Sequence, residues 1–238
     1  MYPLLELGPL RLSSGGLALL IAINIWLWQF ERTARKRGGD ALNAHASACG
    51  LPALLGAGIG ARLWYGVHSL DLYAATPSLF WALRIADLAW PGALLGGALA
   101  GWLWARRRKA DPLALADAAA LALPAPLALA SLGALLSGEI FGAPTNLAWG
   151  IPLHGAMRHP TQLLYVGAAL VAWVIMARSQ NAPAGVPLMR LLLINGLAML
   201  LIEPLRADAL LLPGGWRSGQ VVGLIMALGA LWGLQRRT

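Results

Sequence analysis

The stretch "LASLGALLSGEIFGAPTNLAWGIP", residues 129–152, decides the fold class of this chain. Its first half is a continuous apolar run, and from Gly138 onward Gly, Pro, Thr and Asn prevent a helix from continuing. Glu139 stands at the junction. Non-helical backbone is tolerated at membrane depth only where protein or a wet cavity surrounds it. The stretch therefore indicates the end of a membrane helix and a loop beside a cavity, or a solvated loop with an ordinary surface acid.

The composition is that of a membrane protein. Hydrophobic residues make up 58% of the 238 residues and charged residues 12%, whereas soluble domains carry about 25% charged residues. We predict an all-α integral-membrane fold in a single domain, residues 1–238. An apolar stretch near 79–88 is too short to cross about 30 Å of hydrocarbon and is predicted as a short interfacial or re-entrant helix. About seven stretches are long enough to cross: 14–30, 43–66, 89–105, 113–136, 161–177, 188–203 and 218–235.

The basic residues test this span count, because positively charged loops stay on the cytoplasmic side of a membrane. With seven spans and the N-terminus outside, 12 of the 18 lysines and arginines fall on one side. The sequence therefore predicts an outer N-terminus and a cytoplasmic C-terminus. The other six basic residues fall on the opposite side or at its membrane face: Arg11, Arg62, Arg84, Arg158, Arg206 and Arg217.

Several other classes of function are disfavoured. The net charge of +8 comes from short basic clusters beside apolar spans, which membrane topology explains better than nucleic-acid binding. His154 and His159 have no cysteine or third histidine near them, so we expect no metal. Cys49 lies in an apolar run and is predicted to be a buried, inert thiol. A transporter is a less favoured alternative, because it would have ionisable residues distributed from one membrane face to the other. Here the ionisable residues collect at the outer face.

Ionisable residues approach the outer face from several spans. Arg62 lies in the last turns of span two, where it needs a partner or a lipid phosphate, or reaches the interface by snorkelling. Glu203 ends span six near membrane depth, and Arg206 follows three residues later, so the two pair if the turn survives Pro204. Arginines and acids in this arrangement, with Glu139, suit the binding of an anionic lipid headgroup.

Six stretches follow one another along the chain: "GARLWY" (60–65), "GGALAGWLWARRRK" (96–109), "LGALLSGEIFGAPT" (132–145), "RHPTQLLY" (158–165), "LLIEPLRAD" (200–208) and "SGQ" (218–220). In this order the six stretches resemble prolipoprotein diacylglyceryl transferases, bacterial enzymes that begin lipoprotein maturation. They extend over nearly the whole chain, and their order is more specific than any one of them. The resemblance implies a multi-pass protein of the bacterial cytoplasmic (inner) membrane, with Asp117 at the place of an aspartate that opens span four.

The resemblance implies a reaction that needs no metal, nucleotide or other cofactor. The family transfers the diacylglyceryl group of phosphatidylglycerol to the lipobox cysteine of an exported preprolipoprotein and releases glycerol phosphate. The thiol must lose its proton, and cations must hold the leaving phosphate. The candidate catalytic residues are Glu139, Glu203 and His159. The candidate substrate-binding residues are Arg62, Gln162, Arg206, Asp208, Gln220 and Asn146.

Several polar positions of the family's motifs are replaced here. The arginine and asparagine before the family's glutamate are Ser131 and Ala134. Losing one transition-state donor typically costs about 10²–10³-fold in rate. Three hypotheses follow: an active transferase, a family member without transferase activity that binds phospholipid or lipoprotein as an accessory protein, and a related enzyme with a different lipid or acceptor. The remaining replacements are Gly15 for a tyrosine, Pro91 for a histidine, Leu164-Tyr165 for Tyr-Glu, and Met199 for an arginine.

Overall fold

Helices dominate the protein. The computed structural model describes residues 4–7, 10–81, 89–212 and 214–237, with the side chains of residues 13–79, 89–212 and 214–237. The predicted interfacial helix near 79–88 lies mostly outside the described residues.

A 3₁₀ helix covers Pro77–Trp81, and another covers Glu203–Leu205. The other elements are β1 Leu4–Leu7, β2 Leu10–Ser13, α1 Ser14–His68, α2 Leu70–Ala75, α3 Trp90–Arg107, α4 Pro112–Ala122, α5 Pro124–Ser137, β3 Ile151–Leu153, β4 Ala156–Arg158, α6 Thr161–Ala177, α7 Val186–Ile202 and α8 Ser218–Gln235. Strands β1 and β2 form one antiparallel hairpin and β3 and β4 another, and neither hairpin was predicted.

The helices confirm an all-α membrane class. Helices α6 and α8 have the predicted bounds, and α3 and α7 begin within two residues of the predicted ones. Three helical segments of the described chain are long and apolar enough to cross a membrane: α1, Val186–Leu205 and α8. The pair α4 and α5 is a fourth if it forms one span. The count of seven spans and the orientation stay predictions.

Glycine and proline interrupt two of the helical runs. Gly38 and Gly39 have non-helical backbone angles inside α1, and Gly39 adopts a φ of 67° that favours glycine. The break falls between predicted spans one and two. Predicted span four is also divided, because α4 and α5 meet at a bend of 48°. Pro124 and Pro126 follow that bend and offer no backbone N–H to the preceding turn.

The described chain forms two compact units, Met1–Thr33 with Asp117–Thr238, and Ala34–Ala116. In the second unit, α1 packs against α3 without side chains between the backbones. A Cβ on Gly56 would meet the Gly96 carbonyl, and a Cβ on Gly60 would overlap the Gly92 carbonyl oxygen. Small residues one turn apart allow this approach in membrane helices. Gly56 and Gly60 therefore allow the backbones of α1 and α3 to approach closely.

In the first unit, a buried carboxylate fixes the start of α7. Asp117, on α4, is fully buried and accepts hydrogen bonds from the Gly185 N–H at 2.7 Å and the Leu188 N–H at 3.1 Å. The first amides of a helix have no partner within it, and its positive end attracts an anion. Asp117 therefore caps α7 from another helix.

Replacing Asp117 tests this cap. Asp117→Asn puts an amide N–H₂ against one of the two N–H donors and removes the charge, so it should lower the free energy of unfolding by about 1–3 kcal/mol. Asp111→Asn is the matched control. Asp111 is exposed and accepts one N–H from Leu113, a bond that asparagine can keep. Thermal unfolding in detergent measures both, and equal effects would contradict the assignment.

Candidate functional site

The loop that follows α5 is held at its start by the first two side chains of α6. Gly138 ends α5 in the left-handed conformation, and Ile140 also has a positive φ of 55°, which is rare for a β-branched residue. The Gln162 amide donates to the Glu139 carbonyl at 2.8 Å, and the Thr161 hydroxyl donates to the Ile140 carbonyl. Gln162 and Thr161 are both fully buried. Side chains of α6 thus stabilise the strained turn that carries Glu139.

The same loop pairs with the chain beyond α7. The Ala143 N–H donates to the Leu205 carbonyl at 2.7 Å, and the Ala207 N–H donates to the Phe141 carbonyl at 3.0 Å. From the other side, the His159 N–H donates to the Ala143 carbonyl at 3.1 Å. Three segments far apart in the sequence therefore meet through their backbones at one end of this unit.

A buried ionic cluster lies beside these pairings. Glu203 is 2% exposed, and its Oε1 lies 2.7 Å from Arg206 Nη1. Arg206 Nε lies 2.9 Å from Asp208 Oδ1, and the Tyr165 hydroxyl donates to Glu203 Oε1 at 3.1 Å. The predicted pairing of Glu203 with Arg206 across Pro204 is confirmed. A buried carboxylate needs such partners, because an unpaired charge in an apolar interior is costly.

Gly219, in the first turn of α8, makes room for the cluster. A Cβ on Gly219 would overlap the carboxyl carbon of Glu203. A second glycine contact holds the same two helices together, since a Cβ on Gly223 would lie 2.8 Å from the Gly196 carbonyl oxygen. The close packing of α8 on α7 therefore depends on glycine at both points.

The charge of Arg206 is already compensated within this cluster. Burial by itself would lower the pKa of Arg206, but the carboxylates of Glu203 and Asp208 outweigh burial and raise it. Two carboxylates face one guanidinium, so the three charges do not favour an added anion. Arg206 is suited to fixing the chain beyond α7.

Two other arginines donate hydrogen bonds to backbone carbonyl groups beside the paired segments. Arg158 donates to the Gly142 carbonyl at 3.1 Å and the Leu153 carbonyl at 3.0 Å. Arg217 donates to the Arg206 carbonyl at 2.7 Å. Neither has a carboxylate partner among the residues that the structure describes. The sequence predicted a binding role for neither arginine, although Arg158 begins one of the motifs and Arg217 directly precedes another.

The remaining predicted residues differ in exposure. Glu139 and Asn146 are exposed, whereas His159 and Gln220 are half-buried. The Glu139 carboxylate forms no hydrogen bond or ion pair with any described residue. Arg62 belongs to the second unit, where it donates to the Leu79 carbonyl at 2.6 Å and lies 5.7 Å from the Tyr73 ring centroid. The catalytic and binding roles of these residues stay predictions.

Three of the replaced motif positions serve packing. The Ser131 hydroxyl donates to the Leu127 carbonyl of its own helix, and Ala134 is buried. A Cβ on Gly15 would lie 2.7 Å from the Ser137 Oγ, so α1 approaches α5 more closely there than a larger residue permits. These positions present helix contacts where the family's motifs have polar side chains.

Fold and site together define a multi-pass α-helical membrane protein with buried ionic chemistry at one end of α5 to α8. The sequence model of the family described as prolipoprotein diacylglyceryl transferase matches residues 3–236, so the chain belongs to that family.

Relatives support the assignment along the length of the chain. A phosphatidylglycerol–prolipoprotein diacylglyceryl transferase of Synechococcus elongatus is 32% identical, with 98% of this chain and 88% of the relative covered. One of Geobacter sulfurreducens is 30% identical, with 94% and 90% covered. A third, of Clostridioides difficile, is 32% identical, with 73% and 70% covered.

A methyl group at residue 219 should disturb the ionic cluster. Gly219→Ala forces Glu203 or α8 to move, which we expect to lower the free energy of unfolding by about 1–3 kcal/mol. Gly229→Ala, on the same helix, meets no atom within 4 Å and should be neutral or stabilising because alanine favours helices. Thermal unfolding of both variants in detergent is the measurement. A stable Gly219→Ala protein would contradict the packing described here.

Proposed function

We propose that the protein transfers the diacylglyceryl group of phosphatidylglycerol to the lipobox cysteine thiol of an exported preprolipoprotein. The observation that carries this proposal is the backbone pairing of the Glu139 loop with the segment that bears Arg206. That pairing gathers an exposed acid, a half-buried histidine and two uncompensated arginines at one end of a membrane-helix unit. The family membership and the names of the relatives support the same reaction.

The reaction needs a proton acceptor and cations, and the unit offers both. The cysteine sulfur forms a bond to the glycerol carbon, the bond from that carbon to the phosphate oxygen breaks, and glycerol phosphate leaves with the electron pair. The thiol proton passes to a base, for which Glu139 and His159 are the candidates. Arg158 and Arg217 hold the phosphate, since no carboxylate of the described residues is paired with either of them. Glu203 and Arg206 position the loop.

The protein is proposed to work in the bacterial cytoplasmic membrane as one integral-membrane domain. Seven spans with an outer N-terminus would put the Glu139 loop at the outer face, where an exported preprolipoprotein arrives. The apolar surfaces of the helices support this setting. Exposed large side chains such as Leu201 and Ile225, at 73% and 65% exposure, need a lipid environment.

A second function has a specific observation in its favour. Ser131 and Ala134 stand where the family has an arginine and an asparagine, and the Ser131 hydroxyl is used within its own helix. A protein without these donors can still bind phosphatidylglycerol or a lipoprotein segment without transferring the lipid. The alternative is therefore an accessory family member without transferase activity.

Expression in cells depleted of their own transferase separates the two functions. The transferase proposal expects lipid-modified preprolipoprotein to reappear, and Glu139→Gln to lower the rate about 10²–10⁴-fold if Glu139 is the base. Asp71→Asn, an exposed acid on α2, is the control and should leave modification unchanged. Electrophoretic mobility of a reporter preprolipoprotein, checked by mass spectrometry, is the measurement.

The possible outcomes are distinct. No modification in cells that contain the folded protein rejects the transferase proposal, and phosphatidylglycerol that still copurifies supports the accessory function. Modification that survives Glu139→Gln rejects Glu139 as the base but keeps the transferase.

The two uncompensated arginines give a separate prediction for purified protein. Arg158→Gln and Arg217→Gln should each raise KM for phosphatidylglycerol about tenfold, because a hydrogen bond to a charged group contributes about 1.5 kcal/mol or more. Arg178→Gln, an exposed arginine after α6, serves as the control. Unfolding temperatures show whether lost carbonyl contacts explain the change. An unchanged KM would remove both arginines from the phosphate site.

A further inference from the structure

A groove of about 390 Å³ lies at the far end of α7 and α8 from the ionic cluster. Two glycines form part of its wall, and one of them, Gly229, has no atom within 4 Å of the place where its Cβ would lie. The groove is therefore open beside Gly229. The described residues that line it are Met189, Gly229, Trp232, Gly233, Arg236 and Arg237.

The charged end of the groove consists of two arginines. Arg236 lies over the Trp232 ring, 3.9 Å from its centroid, and Arg237 donates to the Ala184 carbonyl. Both side chains are exposed, and the six lining residues include no acidic side chain. Tryptophan and arginine side by side are typical of the level of lipid headgroups. Gly229 lies about two helical turns before Arg236 on α8, farther from that level and toward the acyl chains.

An anion in the groove would contact the arginines rather than the start of α7. The amides of Gly185 and Leu188, which would otherwise attract a phosphate, already donate to Asp117. Asp117 is fully buried, so its carboxylate does not line the groove. An anion at this end therefore meets guanidinium groups rather than a free helix terminus.

We infer that this groove binds one anionic glycerophospholipid, with its phosphate on Arg236 and Arg237 and an acyl chain along Gly229. The groove fits that ligand at each level: cations at the mouth, an aromatic ring beside them, and an open wall beside Gly229. A zwitterionic lipid gains less from the mouth, because its own cation opposes the two arginines.

The groove is separate from the proposed transfer site. Helix α8 has 18 residues, which makes it about 27 Å long, and Gly219 stands at its first turn while Gly233 stands at its last. If α8 crosses the membrane, the two sites face opposite leaflets. The lipid in the groove is a bound ligand and is not consumed, so the inference does not rest on the transferase proposal.

Photolabelling tests the groove without interference from the substrate site. The probe is phosphatidylglycerol with a diazirine near the top of one acyl chain, titrated into phosphatidylcholine vesicles that contain the full chain. We expect labelled peptides that include Met189 or Trp232. The same diazirine on phosphatidylcholine should label them far less.

Two changes should remove this labelling by different routes. The double variant Arg236→Gln with Arg237→Gln should raise the half-saturating probe fraction about 30-fold, roughly fivefold for each basic residue at an anionic surface. Gly229→Leu should abolish labelling by filling the groove. The matched controls are Arg178→Gln, another exposed arginine, and Gly167→Leu, another exposed helix glycine with no atom near its Cβ position; both should leave labelling unchanged.

The outcomes decide the inference. Equal labelling by the two probes, or labelling that survives either change, overturns the site. Loss of labelling in the controls as well would show that general charge or helix surface is responsible, and would also overturn it. Labels on peptides of the Glu139 loop report the transfer site independently, so failure of one site is distinguishable from failure of the other.

Discussion

A carboxylate buried at the end of an apolar helix requires a cation, and Glu203 is 2% exposed. Its cation is Arg206, three residues later in a chain that turns as a 3₁₀ helix through Pro204. The residues on either side of Arg206 pair with the Glu139 loop, so the side chain that neutralises Glu203 also fixes where that loop lies. The absence of a side chain on Gly219 lets α8 close over the pair. The ion pair of Glu203 and Arg206 thus helps to position three segments: the Glu139 loop, the chain after α7 and the start of α8.

The need to neutralise Glu203 also affects which arginines can attract a phosphate. An arginine between two carboxylates has little attraction left for a phosphate, whatever its place in a motif. Arg158 and Arg217 donate to carbonyl oxygens instead, which orients a guanidinium without cancelling its charge. In a membrane protein that difference is large, because a low dielectric strengthens the attraction between an uncompensated charge and an anion. Arg206, paired with Glu203 and Asp208, therefore has less attraction for an anion than Arg158 or Arg217, which donate to carbonyl oxygens.

Hydropathy predicted the helices well because lipid imposes a length and a composition on each one. Helical spacing predicted the pairing of Glu203 with Arg206, which needs only local geometry. The carbonyl contacts of Arg158 and Arg217 were missed, since hydrogen bonds to backbone groups leave no side-chain pattern in a sequence. The bend before Pro124 could have been predicted from proline alone.

Glycine explains how buried charge and tight packing coexist in α7 and α8. Gly196 and Gly223 bring the two backbones together near the middle of the pair, and this contact fixes the register in which Gly219 meets Glu203. Membrane helices gain little from burying apolar side chains against each other, since lipid is equally apolar. Their association depends instead on close backbone contact and on satisfied polar groups. The glycines and the ion pair therefore act together. The glycines bring the helices close enough to shield Glu203 from the surroundings. Arg206 and Tyr165 offset the cost of burying its carboxylate by hydrogen bonding to it.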